Sequence, residues 1–266
     1  MKVDDIMNKR NNFKSYLIIL LVSLFTFLFV FGGFYLYYNF TDNNQNKISN
    51  INNDKKEDNT KGNEDVKNVE APYTNQLPSY REQYGNNDIL GRLEIPNINI
   101  NTLVTRTTNN EFYLNNNLYK QYDGLGVPLF DFRNINLNTD KQINIYGHNT
   151  QNADFYDRLP FVNLEKYTDI NNFNNYKDIY LDIDERRMHY KVVATKIVDN
   201  SQIEHMKVIF YSDDDYIQHL NKLFSNTMYK DDNLSIDVND RFLVLQVCHY
   251  DPMDTYLLII GKEVKK

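Results

Sequence analysis

The sequence predicts a mainly β domain, a closed or nearly closed barrel with a few short inserted helices, set behind one N-terminal transmembrane helix. Three observations carry this expectation. Short apolar runs of strand character recur from Ile89 to Val264. The best helical stripe in that region is Asp213–Phe224. An uncharged apolar block also stands by itself near the N-terminus.

That block divides the chain into four parts. No charged residue occurs from Ser15 to Phe40, and Leu17–Tyr38 is nearly all Leu, Ile, Val, Phe and Tyr. About 20 such residues cross a bilayer as a helix. The run ends in Phe34, Tyr35, Tyr37 and Tyr38, which suits an interfacial aromatic belt better than a signal-peptide cleavage site. Lys2, Lys9, Arg10 and Lys14 precede it, whereas the residues through Gln45 just after it hold Asp42 and no Lys or Arg. The positive-inside rule then puts residues 1–16 in the cytoplasm, 17–38 in the cell membrane as a single pass, and the rest outside. Residues 39–70 are Asn, Asp, Lys and Glu with almost no apolar side chains, so they cannot offset the entropy cost of ordering. They are expected to be a flexible stalk spanning on the order of 3 nm by coil scaling. Residues 71–266 form the extracytoplasmic domain.

Within that domain, Tyr73–Tyr84 reads as a short helical lead-in. Ile89–Ile95 is a strand that Pro96 breaks, and alternation resumes over Ile98–Val104. Gly124 and Gly126 mark a turn before the apolar run Val127–Phe132, and Ile143–Tyr146 is a short buried strand closed by Gly147 and His148. Asp154–Tyr167 reads as helical pieces interrupted by Pro160. Ile179–Ile183 and His189–Val198 are strands joined by a charged turn. Asp213, Asp214 and Asp215 suit the positive N-terminal end of the best helix, where Ile217, Leu220 and Phe224 share a face. The chain closes with two strongly apolar strands, Arg241–Cys248 and Tyr256–Val264.

Composition narrows the chemistry. The net charge is −7, and no basic stretch stands out to neutralise phosphates, which argues against nucleic acid as a partner. No helical His pair, His-x-x-Glu pattern or Gly-rich phosphate loop is present, so neither a metal nor a cofactor is expected. The chain has one cysteine, Cys248, which cannot form an intramolecular disulfide. A cysteine nucleophile needs an imidazole partner, and five histidines are available. His189, His205 and His219 lie among charged or polar residues and read as solvated. His249 follows Cys248 directly, so in a strand it points to the opposite face. His148 sits at a strand-to-loop switch beside Gly147, which is expected to let the backbone turn sharply, and a strand end is a rigid place for a catalytic group.

The ordered motifs GRLEIPNINI (91–100), EFYLNN (111–116), VPLFDFRN (127–134), IYGHNT (145–150) and LVLQVC (243–248) resemble those of sortases, membrane-anchored cysteine transpeptidases of Gram-positive cell surfaces. The GHN triplet, the DFRN loop, the helical lead-in and the Asp213 helix are most similar to class B. The resemblance implies a closed eight-stranded β-barrel with His148 and Cys248 facing one another at the end of a groove. It implies cleavage of a C-terminal sorting motif, a thioacyl-enzyme on Cys248, and transfer to an amine of a peptidoglycan cross-bridge or a pilin lysine.

One departure stands out. The family carries an arginine at the start of the last strand, yet no arginine follows Cys248 here, and the register places Tyr256 in that slot. A phenol gives one neutral hydrogen bond where guanidinium gives a charged fork. Val247 also replaces the family's threonine before the cysteine. Three explanations stand: Tyr256 acts as a neutral oxyanion donor, Arg133 or Arg241 reaches in, or the chain is a weakened or silent surface binding module.

Overall fold

The computed structural model describes residues 73–265, which lie within the unit Glu70–Lys266. The expected segments 1–16, 17–38 and 39–70 lie outside those residues, and among the described residues no helix is long and apolar enough to cross a membrane. The described residues form nine strands: β1 (Ile89–Ile95), β2 (Ile100–Thr105), β3 (Leu129–Phe130), β4 (Gln142–Gly147), β5 (Asp178–Asp182), β6 (Arg187–Asp199), β7 (Tyr229–Lys230), β8 (Phe242–His249) and β9 (Thr255–Glu263). Three α-helices accompany them: α1 (Leu77–Tyr84), α2 (Ile170–Asn175) and α3 (Asp213–Leu223).

The sheet order is β5-β1-β2-β3-β4-β8-β9-β6-β7, and β5 also pairs with β6. Eight strands therefore close into a ring, and the two-residue β7 hangs on its outside along β6. The closed eight-stranded barrel holds. Two pairings are parallel, β2 with β3 and β4 with β8. The second brings two strands distant in sequence to a common end.

Alternation sorts each strand into two faces. Leu243, Leu245 and Val247 of β8 meet Leu257 and Ile259 of β9 and Ile143 and Ile145 of β4 in the barrel interior. The 3₁₀ segment Pro160–Thr168 adds Phe161, Leu164 and Tyr167 to that core. On the outer face, Phe242, Val244, Leu258 and Ile260 pack against Tyr216, Leu220 and Leu223 of α3. Burying each such side chain stabilises by about 1.5–3 kcal/mol. Ser212 caps α3 by accepting from the Asp215 N–H, and the three aspartates occupy its first turn as expected.

Two sequence expectations change in detail. The apolar run 127–132 yields only the two-residue β3, because Gly126 before it (φ +57°) and the turn at Asp131–Asn134 after it take the backbone out of the ladder. Gly147 is not a left-handed turn residue. A Cβ there would lie 2.5 Å from Cδ2 of Phe161, so the glycine lets the Phe161 ring close the barrel end beneath the site.

Candidate active site

β4 and β8 run parallel with Ile145 opposite Leu245 and Gly147 opposite Val247. His148 and Cys248 are the next residue on each chain, so the two emerge side by side from adjacent strand ends. Parity puts both on the outer face, with Tyr146 and Gln246. β9 runs back antiparallel and sets Tyr256 directly opposite Cys248. Directly opposed side chains in such a pair have Cβ atoms about 4.5–5.5 Å apart. The three residues singled out by sequence thus converge on one end of one face.

Their chemistry differs. Burial pushes the Cys248 thiol above its ordinary pKa, so the resting side chain is a neutral thiol that needs a base. The His148 ring donates from Nε2 to the Leu114 carbonyl at 2.7 Å; a carbonyl can only accept, so Nε2 carries the proton. In the neutral form of the ring, Nδ1 is then the nitrogen able to accept a proton. The Leu114 carbonyl fixes the tautomer and the orientation of the ring. Burial, and then the neighbouring Cys248, raise the pKa of the Tyr256 phenol, so it stays protonated and able to donate.

Arg133 and Arg241 are committed elsewhere. Arg133 donates from Nε and Nη2 to the two Asp131 oxygens at 2.8 and 2.7 Å, and from Nη2 to the Met206 carbonyl at 2.6 Å. Arg241 precedes β8, seven residues from Cys248 and hence roughly 23 Å away along an extended strand. It donates to the Asp140 and Leu137 carbonyls at 2.9 and 2.8 Å and pairs with Glu263 at 3.0 Å. Neither arginine stands beside the thiol. Arg158, which the sequence did not single out, pairs with Asp123 at 2.5 Å and lines a cavity of about 50 Å³ with His148, on the β2 side.

Two histidines expected to be solvated are buried. His205 and His219 are 5% and 6% exposed. His219 donates to Gln142 Oε1 and His205 to Gln246 Oε1, each at 2.7 Å, and the His205 ring meets Tyr256 edge-on at 6.2 Å between centroids. Both lie over the polar outer positions of β4 and β8, which are invisible from their own sequence neighbours. Burial lowers both pKa values, that of His219 to about 4. His249 points away from Cys248 as expected and meets Glu165 at 3.0 Å.

Comparison with known proteins bears on the family and the fold. No protein-family model matches the sequence. Sortase B of Staphylococcus aureus is 25% identical over 185 residues, covering 68% of this chain and 72% of that protein. Sortase B of Listeria monocytogenes is 25% identical over 189 residues, with the same coverage of 68% and 72%. The likeness is to the sortase family, and within it to class B. The structure of Clostridium perfringens sortase B superposes with a TM-score of 0.64 at 26% identity, spanning 71% of this chain and 100% of that one. A Staphylococcus aureus sortase B–substrate complex matches in fold, with a TM-score of 0.61 at 23% identity over 71% of this chain and 86% of that one. A transpeptidase function of the sortase kind follows in general terms.

Proposed function

We propose that the chain is a cysteine transpeptidase that cleaves a C-terminal sorting motif and passes the acyl group to an amine. The observation that carries this is the parallel β4–β8 pair, which delivers His148 and Cys248 to one strand end. Cys248 Sγ attacks the scissile carbonyl while His148 accepts the thiol proton. The tetrahedral oxyanion accepts a hydrogen bond from the Tyr256 hydroxyl. Collapse breaks the C–N bond, His148 returns the proton to the departing amine, and a thioester remains on Cys248. An incoming amine then attacks that thioester and His148 takes its proton; the C–S bond breaks, and His148 returns the proton to the departing sulfur to regenerate the thiol.

The sorting motif is read as one cut between Thr and Gly or a similar small residue. The acceptor is a peptidoglycan cross-bridge amine or a pilin lysine; a sortase B has been solved in complex with triglycine, so that peptide is the first acceptor to test. Residues 17–38 would anchor the enzyme by one pass, with its N-terminus in the cytoplasm and its catalytic domain outside. Labelling of Cys248 on intact cells by a membrane-impermeant maleimide checks that orientation.

Mass spectrometry after incubation with Thr–Gly sorting peptides tests the chemistry. The expected result is an acyl adduct on Cys248 that triglycine discharges. Its absence, where a control sortase gives one, sinks the proposal. A silent surface binding module is the second reading, favoured by the missing arginine and the raised thiol pKa. It expects no adduct, and alkylation of Cys248 no faster than that of a free thiol.

A further inference from the structure

The β4–β8 ladder ends at Gly147 and Val247, one residue short of the reacting pair. Beyond that point the strand pairing no longer sets the spacing of His148 and Cys248, and one buried side chain takes over. Asn149, only 8% exposed, donates from Nδ2 to the Cys248 carbonyl and to Glu165 Oε1, each at 2.8 Å. Its own carbonyl accepts from the Tyr250 hydroxyl at 3.0 Å. The residue after His148 is thus tied by side chain and by backbone to the segment that carries Cys248. Glu165, from the segment that fills the barrel end, is held in turn by His249 Nδ1 at 3.0 Å from both carboxylate oxygens. Asn149 Oδ1 accepts from the Thr150 N–H at 2.8 Å, which fixes the amide's orientation.

We infer that Asn149, backed by Glu165 and His249, is a positioning residue that sets the separation of His148 and Cys248 for proton transfer. This rests on reading those two as the reacting pair. A carboxylate cannot replace the amide, because Nδ2 is a donor to two acceptors. A misplacement of about 1 Å between reacting groups costs on the order of 10²-fold in rate.

The test compares wild type, His148→Ala, Asn149→Ala and Asn149→Asp in sorting-peptide cleavage and in alkylation of Cys248 by iodoacetamide, with thermal melts alongside. Both Asn149 variants should lose about 10²-fold in kcat with little change in KM. They should also share the slowed alkylation of His148→Ala. Asn149→Ala with wild-type kcat and alkylation, while His148→Ala loses both, overturns the inference and leaves the pair intact. His148→Ala alkylated as fast as wild type overturns the pair itself, and the inference with it. Should the Asn149 variants not fold, Glu165→Gln keeps an acceptor for Asn149 where Glu165→Ala removes it. Recovery of kcat in Glu165→Gln over Glu165→Ala supports the clamp; equal, wild-type rates in both overturn it.

Discussion

The two ends of β8 are built on opposite principles. At its start, Arg241 is saturated by two carbonyls and Glu263, and Lys262 and Lys265 pair with Asp240 at 2.8 and 3.0 Å. At its finish, the side chains grouped on the outer face are the thiol of Cys248, the protonated phenol of Tyr256 and the imidazole of His148, each able to give or take a proton. Fixed ion pairs hold the start of the strand together, while its finish groups side chains that can give or take a proton, with the Glu165 carboxylate held behind them by Asn149 and His249. Tyr256, directly opposite the thiol, continues that pattern, and Arg241 is held by its own partners at the other end of the strand.

Ways to break this contrast run from the finish of the strand to its start. Cys248→Ala should abolish both the acyl adduct and transfer, read by mass spectrometry and peptide cleavage. Tyr256→Phe deletes the proposed oxyanion donor and should lower kcat by about 10²–10³-fold. Tyr256→Arg should exceed Tyr256→Phe in kcat, because guanidinium supplies a charged donor at the same register. If Tyr256→Phe cleaves as fast as wild type, the phenol is not that donor. Arg241→Ala should do the reverse of these. Leaving two carbonyls without their donor, and Glu263 with Arg186 alone, should cost about 1–3 kcal/mol in chemical denaturation, with kcat per folded molecule unchanged.

The smallest expected effect concerns pH. His219 has a folded pKa of about 4, below the unfolded value of 6.5. The unfolded chain therefore binds more protons between those values, and stability is complete above pH 6.5 and lost as pH falls toward 4. His205, also lowered by burial, acts in the same direction. Melting temperature should drop by several degrees between about pH 7 and about pH 5, and His219→Gln should flatten that slope.

Much of the fold was legible because periodicity reports burial locally. β1 alternates along its own residues, β8 and β9 are nearly unbroken apolar runs, and the apolar stripe of α3 needs no partner to be seen. The 3₁₀ pieces around Pro160 followed from the proline. β7 was missed because two residues carry no period, and Val127–Phe132 was overread because the turns around β3 end its pairing. At the site, Asn149 stood next to His148 in plain view, but nothing local marks it as the donor to Cys248, 99 residues away. Glu165 offered no signal at all.

By itself, the sequence determined the β class, the lone thiol, the histidine at a strand end and the absence of an arginine after Cys248, since each is a property of residue type and local pattern. Tertiary structure alone decided the rest. It brought β4 beside β8, buried His205 and His219 over polar strand positions, locked Arg133 and Arg241 in other pairs, and set Tyr256 across from the thiol. Those outcomes depend on which distant segments share a face, and chain closure, not any local preference, selects them.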